Sequence, residues 1–326
     1  MLAPGEILAT VEYLQESATF PLAGHPTGWD TIRSMKASAT LYRLTLALAA
    51  CTLTLLIVGS FTAAAGPDSA SRAVWLPVHR YLGEAVDFLA LVTVAWLLLS
   101  DSQKWLKTVG LCALILIGAQ AWLGVLAART AAVGVVHAIL SHLCFALLTL
   151  LALGASPAWN REAAPVEDRG WPSLRSLAWI APPAVLLQIA FGAAYRHDLI
   201  SVVPHIAWAF VVLLLILMLA TFSISALPTG KAEQRPYHGL RRGAIALMAL
   251  VCVQLILGVI ALLARMNLAP SLAPGDVAVV LRSTHLGTGA LVLGFTVALS
   301  AEILRRAVPA ALPAAAPRLA GNGQRG

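Results

Sequence analysis

Eight long apolar stretches divide this chain and restrict it to one class of fold. Each stretch holds about 20 predominantly apolar residues, the length that an α-helix needs to cross the hydrocarbon core of a bilayer. Backbone polar groups in lipid must be satisfied within their own segment, so each stretch is predicted to be a membrane-spanning helix. Pro182 and Pro183 in the fifth stretch predict a kink or a late start of that helix. The predicted spans are 41–65, 77–100, 106–128, 132–153, 176–196, 201–226, 242–263 and 277–304.

The composition agrees with an integral membrane protein in contact with the lipid bilayer. The chain is 59% hydrophobic and 11% charged, which is more apolar surface than a soluble domain can bury. Its net charge of +7 comes without a basic run that has interleaved aromatic residues, so the sequence indicates basic cytoplasmic loops and no nucleic-acid partner. The absence of CxxC and CxxCH motifs argues against zinc, iron–sulfur or covalently attached haem sites.

The distribution of basic residues predicts the orientation. Most of the 22 lysines and arginines fall in segments that share one side of the membrane with both termini, which places the N- and C-termini in the cytoplasm, as in a bacterial plasma membrane protein. Residues 1–40 are then a polar cytoplasmic segment, and their acidic residues do not suit a signal peptide. Residues 156–175 are predicted to be a cytoplasmic linker and residues 307–326 a cytoplasmic tail.

An internal repeat predicts two similar halves. Residues 120–127 (QAWLGVLA) in the third span match residues 254–261 (QLILGVIA) in the seventh. Four spans in each half give both halves the same orientation, so they should be related by an axis along the membrane normal. The predicted fold is therefore all-α, with four-helix bundles at 41–155 and 176–306 related by a parallel internal repeat.

Four histidines lie near the beginning of the four even-numbered spans. An ionisable side chain in a span is costly and is a functional hypothesis by default. Two imidazoles from facing helices at equal depth are the arrangement that ligates a haem iron. The alternative is that each histidine bonds a backbone carbonyl or reaches water at the interface. The predicted ligand pairs are His79 with His137 and His205 with His285.

Small and basic residues near these histidines suit a haem. Gly83 and Gly289 stand four residues after His79 and His285, where a missing side chain lets a flat ring approach the helix. Arginines near the same membrane face, as well as His197, could contact propionate groups, although an interfacial position explains any of them singly. The two arginines with the most specific expected role are Arg80 and Arg196.

Other polar residues within the spans leave alternatives open. His142 competes with His137, but it lies five residues away on a different side of the helix, and a hydrogen bond within the core would also explain it. Glu84 and Asp87 are predicted to be buried, where they could relay protons or hydrogen-bond a neighbouring helix. Hydrogen bonding between helices is the expected role of Gln120 and Gln254, which match across the repeat.

Over nearly all of residues 41–306 the chain resembles the haem A synthase family of the cytochrome oxidase assembly pathway. The resemblance is carried by a histidine opening each even-numbered span, by His79 followed by Arg80, and by two longer stretches. These stretches are residues 187–197 (LQIAFGAAYRH) and residues 284–291 (THLGTGAL).

The resemblance implies a reaction and its cofactor. The C-terminal bundle would hold haem b between His205 and His285, and the N-terminal bundle would receive haem O with its iron near His79 and His137. Successive hydroxylations would convert the C8 methyl group of haem O into the formyl group of haem A, with the resident haem b passing electrons. A haem O synthase would deliver the substrate, a quinol is a candidate electron donor, and a haem–copper oxidase would receive the product.

Two departures from the family bear on the chemistry. The family carries a catalytic glutamate shortly before its first histidine, whereas residues 66–78 contain no glutamate and Leu76 stands where the acid is expected. Some members also have a cysteine pair in this loop, and here there is none. Glu84 is the candidate replacement. Two other functions stay open at this point: a non-catalytic or quinol-linked b-type cytochrome subunit of a respiratory complex, and a small-solute transporter.

Overall fold

The computed structural model describes residues 28–64, 70–127, 129–230, 233–266 and 275–309. The chain forms two units, Met1–Thr40 and Leu41–Gly326. The predicted cytoplasmic segment before residue 28, the beginning of the first outer loop with Asp68, and the predicted tail beyond residue 309 lie outside the described residues. Of the polar segment predicted for residues 1–40, the described part belongs to the first helix.

Eight helices within the described ranges are long and apolar enough to cross a membrane. The predicted all-α membrane protein with eight transmembrane helices is therefore confirmed. The helices are α1 (Gly28–Ala64), α2 (Ala70–Leu99), α3 (Lys104–Leu126), α4 (Ala131–Ala155), α5 (Leu174–Arg196), α6 (Val203–Ser225), α7 (His238–Arg265) and α8 (Gly275–Arg306).

Prolines do not delimit the helices as the sequence predicts. Helix α2 begins at Ala70 and contains Pro77, which removes only the hydrogen bond to a carbonyl near the helix start. Of the two alternatives for α5, the late start is wrong, because the helix is capped ahead of the two prolines, and the kink stays a prediction. The Asp168 carboxylate accepts hydrogen bonds from the backbone N–H groups of Leu174 at 2.8 Å and Arg175 at 3.2 Å. A carboxylate at a helix N-terminus also opposes the positive end of the helix dipole.

A short parallel β-pair, which the sequence analysis did not anticipate, joins the linker to the end of the last helix. Strand β1 (Val166–Asp168) pairs with β2 (Ala307–Pro309), with Val166 opposite Ala307. Glu302 accepts a 2.7 Å hydrogen bond from Arg306, and this ion pair is largely shielded from solvent. These contacts place the linker and the C-terminal end of α8 at the same end of the helices.

The buried apolar residues form two large clusters and a small third one. The first cluster lies among α1–α4, and the second lies largely among α5–α8. Leu56, Phe145 and Ala290 form the third cluster, which joins α1, α4 and α8. The predicted division into two bundles related by a parallel repeat stays a prediction, and this distribution of the core supports it.

Candidate functional site

Each of the four predicted ligand histidines lies against a glycine of the preceding helix. We call these four glycines the cradle glycines, because the absence of a side chain lets the imidazole ring approach the helix backbone closely. Each cradle glycine comes from an odd-numbered helix and each histidine from the next even-numbered helix. The pairs are Gly59–His79, Gly124–His137, Gly192–His205 and Gly258–His285.

Three of the rings have the same orientation on their glycine. A methyl group placed on Gly192 would lie 2.9 Å from Cε1, 3.2 Å from Nδ1 and 3.7 Å from Nε2 of His205. The corresponding distances from Gly59 to His79 are 2.9, 3.2 and 3.8 Å, and those from Gly258 are 3.0, 3.5 and 3.8 Å. The Nδ1–Cε1 edge of each ring therefore faces the glycine, and Nε2 is the nitrogen farther from it.

The same orientation brings Nδ1 beside a main-chain carbonyl one turn before the glycine. Nδ1 of His205 lies 3.1 Å from the side-chain amide nitrogen of Gln188 and 3.3 Å from its carbonyl oxygen. A helical carbonyl keeps a second lone pair, so it can accept the Nδ1–H proton without losing its helical hydrogen bond. That proton position leaves Nε2 unprotonated, which is the tautomer that ligates a metal. His79 and His285 lie in the same way beside the carbonyls of Leu55 and Gln254, although their Nδ1 atoms make no hydrogen bond.

The C-terminal pair has the spacing of two ligands to one iron. The ring centroids of His205 and His285 lie 6.5 Å apart, with their planes at 84°. Metal–nitrogen bonds of about 2 Å on opposite sides of one ion, plus a ring radius at each end, give roughly 6 Å between centroids. The pair therefore fits a bis-histidine haem. Across the described residues no group of three or more His, Cys, Asp or Glu side chains is arranged to hold a metal ion.

The N-terminal pair is assembled in the same way. His137 and His79 are close enough to interact electrostatically. Nδ1 of both histidines is buried and makes no hydrogen bond. Two half-buried imidazoles that lie near each other can ligate one metal ion, since neutral imidazole is a common metal ligand.

Glutamine amides connect the odd-numbered helices to the ligand histidines. Gln120 donates through Nε2 to the His137 carbonyl at 2.8 Å and to the Ser141 hydroxyl at 2.6 Å, which confirms the predicted hydrogen bond between helices. Gln188 donates to the His205 carbonyl at 3.0 Å. The sequence analysis did not single out Gln188 or the cradle glycines. The signal was present as glutamine followed four residues later by glycine in α3, α5 and α7.

The third glutamine is placed slightly differently. Nε2 of Gln254 lies 3.4 Å from Nε2 of His285. A methyl group on Gly289 would lie 3.0 Å from the Gln254 amide nitrogen, so Gly289 makes room for this amide. Gly83, by contrast, has no atom within 4 Å of a Cβ position. The prediction that both glycines lie close to a haem ring is not tested by these contacts and stays a prediction.

The acids of α2 differ from expectation. Glu84 is exposed and Asp87 is half-buried, so the prediction that both are buried is wrong. The physical reason is the helical period, since five residues turn Glu84 to a different side of α2 from His79.

Arginines gather at the end of the helices where the ligand histidines lie. Arg196 donates through Nη2 to the Ser60 carbonyl at 2.9 Å and thereby connects α5 to α1. It interacts electrostatically with Arg265 and Arg282. Arg265 bonds Asp198 at 2.5 Å. Arg80 is exposed. Grouped guanidinium groups favour an anionic partner, and bidentate carboxylate recognition is a property of arginine.

Two further histidines have separate surroundings. Nδ1 of His142 lies 2.7 Å from the Ala138 carbonyl in the buried core, as expected for a hydrogen bond within the core. His197 lies against Gly134, where a methyl group would come within 2.5 Å of its Cε1. Burial and the adjacent Arg196 charge lower the pKa of His197, while Asp198 partly opposes this.

Comparison with known proteins identifies part of the chain. Residues 68–203 match the model of the COX15-CtaA family, described as cytochrome oxidase assembly protein. The matched segment contains His79 and His137 and ends just before His205. No curated protein matches the chain. Over residues 68–203 the chain is therefore similar to the cytochrome oxidase assembly protein family, which supports the resemblance to the haem A synthase family.

Proposed function

We propose that this membrane protein converts haem O into haem A by oxidising the C8 methyl group of the substrate to a formyl group. The observation that carries the proposal is the shared placement of four histidines, each against a glycine of the preceding helix. This placement recurs at the two expected ligand pairs, and the family match independently covers the first pair.

The C-terminal pair is proposed to hold haem b. His205 and His285 would be the axial ligands, with the Gln188 carbonyl accepting the Nδ1–H proton of His205 at 3.3 Å. A bound bis-histidine haem supplies one-electron transfer. The cradle glycines set the orientation of the two rings, and the Gln188 carbonyl would select the tautomer of His205, as outer-shell groups do in metal sites.

The N-terminal pair is proposed to receive haem O as substrate. His79 and His137 would lie at its iron, and the open space beside Gly83 would admit the edge of the ring. Arg80 and Arg196 would lie toward the propionates, where guanidinium groups pair with carboxylates. Arg196 is already oriented by its bond to the Ser60 carbonyl.

Glu84 is proposed as the acid that replaces the glutamate absent from residues 66–78. Asp87 lies close enough to interact with it electrostatically. An acid near the reacting ring would accept or deliver protons during hydroxylation. The exposure of Glu84 makes this assignment the part of the proposal most open to a direct mutational test.

A quinol-linked or non-catalytic b-type cytochrome is the second candidate. Leu76 at the position of the expected glutamate favours it, as does the exposed side chain of Glu84. In that case haem b would still bind to the C-terminal pair, and the N-terminal pair would bind haem without oxidising it.

The proposed partners follow from the reaction. A haem O synthase would supply the substrate, a quinol would be the electron donor, and a haem–copper oxidase would take the product. The chain is an integral membrane protein. Cytoplasmic N- and C-termini in a bacterial plasma membrane are part of the proposal.

The test is turnover by the purified protein in detergent, supplied with haem O, a quinol and air, with the haems separated by chromatography over time. Accumulation of haem A or its hydroxymethyl precursor supports the proposal. A protein that retains haem b but leaves haem O unchanged supports the cytochrome alternative. His79→Ala is the matched control, because it should abolish conversion and leave the haem b spectrum intact.

A further inference from the structure

The residue four positions before each cradle glycine differs in one helix. We call this the anchor position, because its main-chain carbonyl or side chain faces the next helix at the ligand histidine. Three of the four odd-numbered helices have glutamine there, and the first has leucine. The anchor residues are Leu55 in α1, Gln120 in α3, Gln188 in α5 and Gln254 in α7.

The anchor glutamines hold the ligand histidines through their amides. Gln120 and Gln188 donate to the main-chain carbonyls of His137 and His205 at 2.8 and 3.0 Å. The carbonyl belongs to the ligand residue itself, so this bond fixes the height of the histidine on its helix relative to the cradle glycine. In the membrane interior, water does not compete for the donor and acceptor of a hydrogen bond between two helices.

The side-chain amide of Gln254 lies beside the imidazole ring of His285. Its amide nitrogen is 3.4 Å from Nε2 of His285 and packs against Gly289. The amide is therefore placed beside the imidazole rather than the main chain. Each of the three glutamines contacts a different ligand histidine, and their Oε1 atoms are buried without a partner.

Leu55 offers none of these contacts to His79. Its side chain has no donor or acceptor, so only the main-chain carbonyl of α1 faces the ring. His79 still has its cradle at Gly59, with the same distances as His205 at Gly192. The two imidazoles of the N-terminal pair are consequently held unequally, since His137 is anchored by Gln120 and His79 has no anchor side chain.

We infer that Leu55 makes His79 the releasing ligand of the N-terminal pair, and that Gln120 and Gln188 are positioning residues that retain His137 and His205. The inference rests on the proposed function, in which a substrate haem must enter and a product haem must leave. A site that exchanges its haem needs a ligand that is held more weakly than the corresponding ligand of a resident haem. The difference between Leu55 and Gln188 provides this distinction within otherwise matched cradles.

The test measures haem release from the whole protein, purified after co-expression with a haem O synthase. The protein is mixed with an excess of haem-free globin, and the haem collected by the globin is identified by chromatography at successive times. Haem O or haem A reports the N-terminal pair, and haem B reports the C-terminal pair. The variants are Leu55→Gln, Gln188→Leu and Gln120→Leu, with Leu46→Gln as the control because Leu46 is an exposed residue of the same helix.

The inference predicts opposite changes at the two sites. Leu55→Gln should slow the release of haem O and haem A by about tenfold, the lower range of the effect of outer-shell partners on metal affinity. Gln188→Leu should accelerate release of haem B by a similar factor, and Leu46→Gln should change neither rate. Should Leu55→Gln fail to accumulate, Gln120→Leu serves instead and should accelerate release from the N-terminal pair alone.

One result would contradict the inference alone, and a different result would contradict the proposed function as well. Unchanged release rates in Leu55→Gln or, where it is needed, Gln120→Leu would overturn the inference and leave the proposed function standing. Recovery of haem B alone, from every variant and from the wild-type protein, would overturn the proposed function and the inference with it. The absorption spectrum recorded before mixing shows whether each variant is loaded with haem.

Discussion

The imidazole rings of His205 and His285 face each other with their centroids 6.5 Å apart and their planes nearly perpendicular, at 84°. Each ring is set by a glycine of the neighbouring helix, and one of them reaches a main-chain carbonyl with Nδ1. In both rings Nε2 lies farther from the glycine than Nδ1 and Cε1 do. The relationship supports a bis-histidine haem b in the C-terminal half.

Removal of either C-terminal ligand should abolish the b-type spectrum. His205→Ala and His285→Ala each leave one imidazole, which does not give a six-coordinate low-spin iron. Reduced-minus-oxidised difference spectra of the purified variants measure this directly. His238→Ala is the matched control, since His238 begins α7 outside the pairs, and it should keep the full spectrum. A full, unshifted spectrum in both ligand variants would show that the assignment is wrong.

Substitutions at the cradle glycines should lower haem retention. The added methyl group of Gly192→Ala would lie 2.9 Å from Cε1 of His205, and that of Gly258→Ala 3.0 Å from Cε1 of His285. Forcing an extra methyl group into a packed site costs about 1–3 kcal/mol. The expected result is a several-fold lower haem-to-protein ratio, measured by pyridine haemochrome assay.

The control for the cradle substitutions is Gly243→Ala in α7. Its added methyl group would meet only Leu299, at 3.9 Å. Replacing glycine by alanine in a helix interior otherwise stabilises it by about 0.5–1 kcal/mol. The control should therefore retain haem and unfold at the same or a higher temperature. Equal haem retention in all three variants would contradict the claim that Gly192 and Gly258 make room for the ligand imidazoles.

Substitution of Glu84 should lower the turnover of haem O without changing the binding of haem b. If Glu84 supplies the acid missing from residues 66–78, Glu84→Gln should reduce conversion of haem O by about 100-fold, which is within the range of general acid–base catalysis. The haem b spectrum should not change, because Glu84 lies in α2 and the proposed haem b ligands lie in α6 and α8. Asp87→Asn is the matched control on the same helix. Unchanged conversion in Glu84→Gln would show that Glu84 is a surface residue that takes no part in the reaction.

The stability of the protein should depend on pH through His197. Burial and Arg196 lower its pKa in the folded protein below the ordinary value of 6.5. The unfolded chain therefore binds a proton at a higher pH than the folded protein does, so stability is lost as pH falls below the unfolded value. Thermal unfolding in detergent at about pH 7.5 and about pH 5.5 should show a smaller drop for His197→Gln than for wild type. An equal drop would assign the pH dependence to other groups.

Much of the fold was predictable because the bilayer imposes strong constraints. Length and hydropathy identified all eight spans, with ends that differ by a few residues in most cases. The larger differences are at the beginnings of α1 and α2, which start at Gly28 and Ala70 instead of residues 41 and 77. Helix continuation at such ends depends on backbone hydrogen bonds rather than apolarity, so hydropathy does not detect it. The β-pair of Val166–Asp168 with Ala307–Pro309 joins distant segments and has no local sequence signal.

The sequence pointed to the four histidines of the candidate site, but not to their surroundings. The four histidines were recognisable because an ionisable residue in a membrane span costs free energy, and because the four occur at matched positions of the repeat. The cradle glycines were not recognisable from the sequence, since a glycine in a membrane helix has several ordinary roles. Only the packing of the neighbouring helix shows which ring it faces. The burial of Glu84 was misjudged because an apolar helix with lipid around it gives no sequence difference between its inner and outer faces.

The most direct test of the account is the identity of the haems bound by protein purified after co-expression with a haem O synthase. The bound haems are extracted and separated by chromatography, and the same preparation gives the reduced-minus-oxidised spectrum. The account predicts haem B together with haem A or its hydroxylated precursor, and loss of the oxidised products in His79→Ala. Haem B with haem O that is never converted, under air and with quinol present, would contradict it.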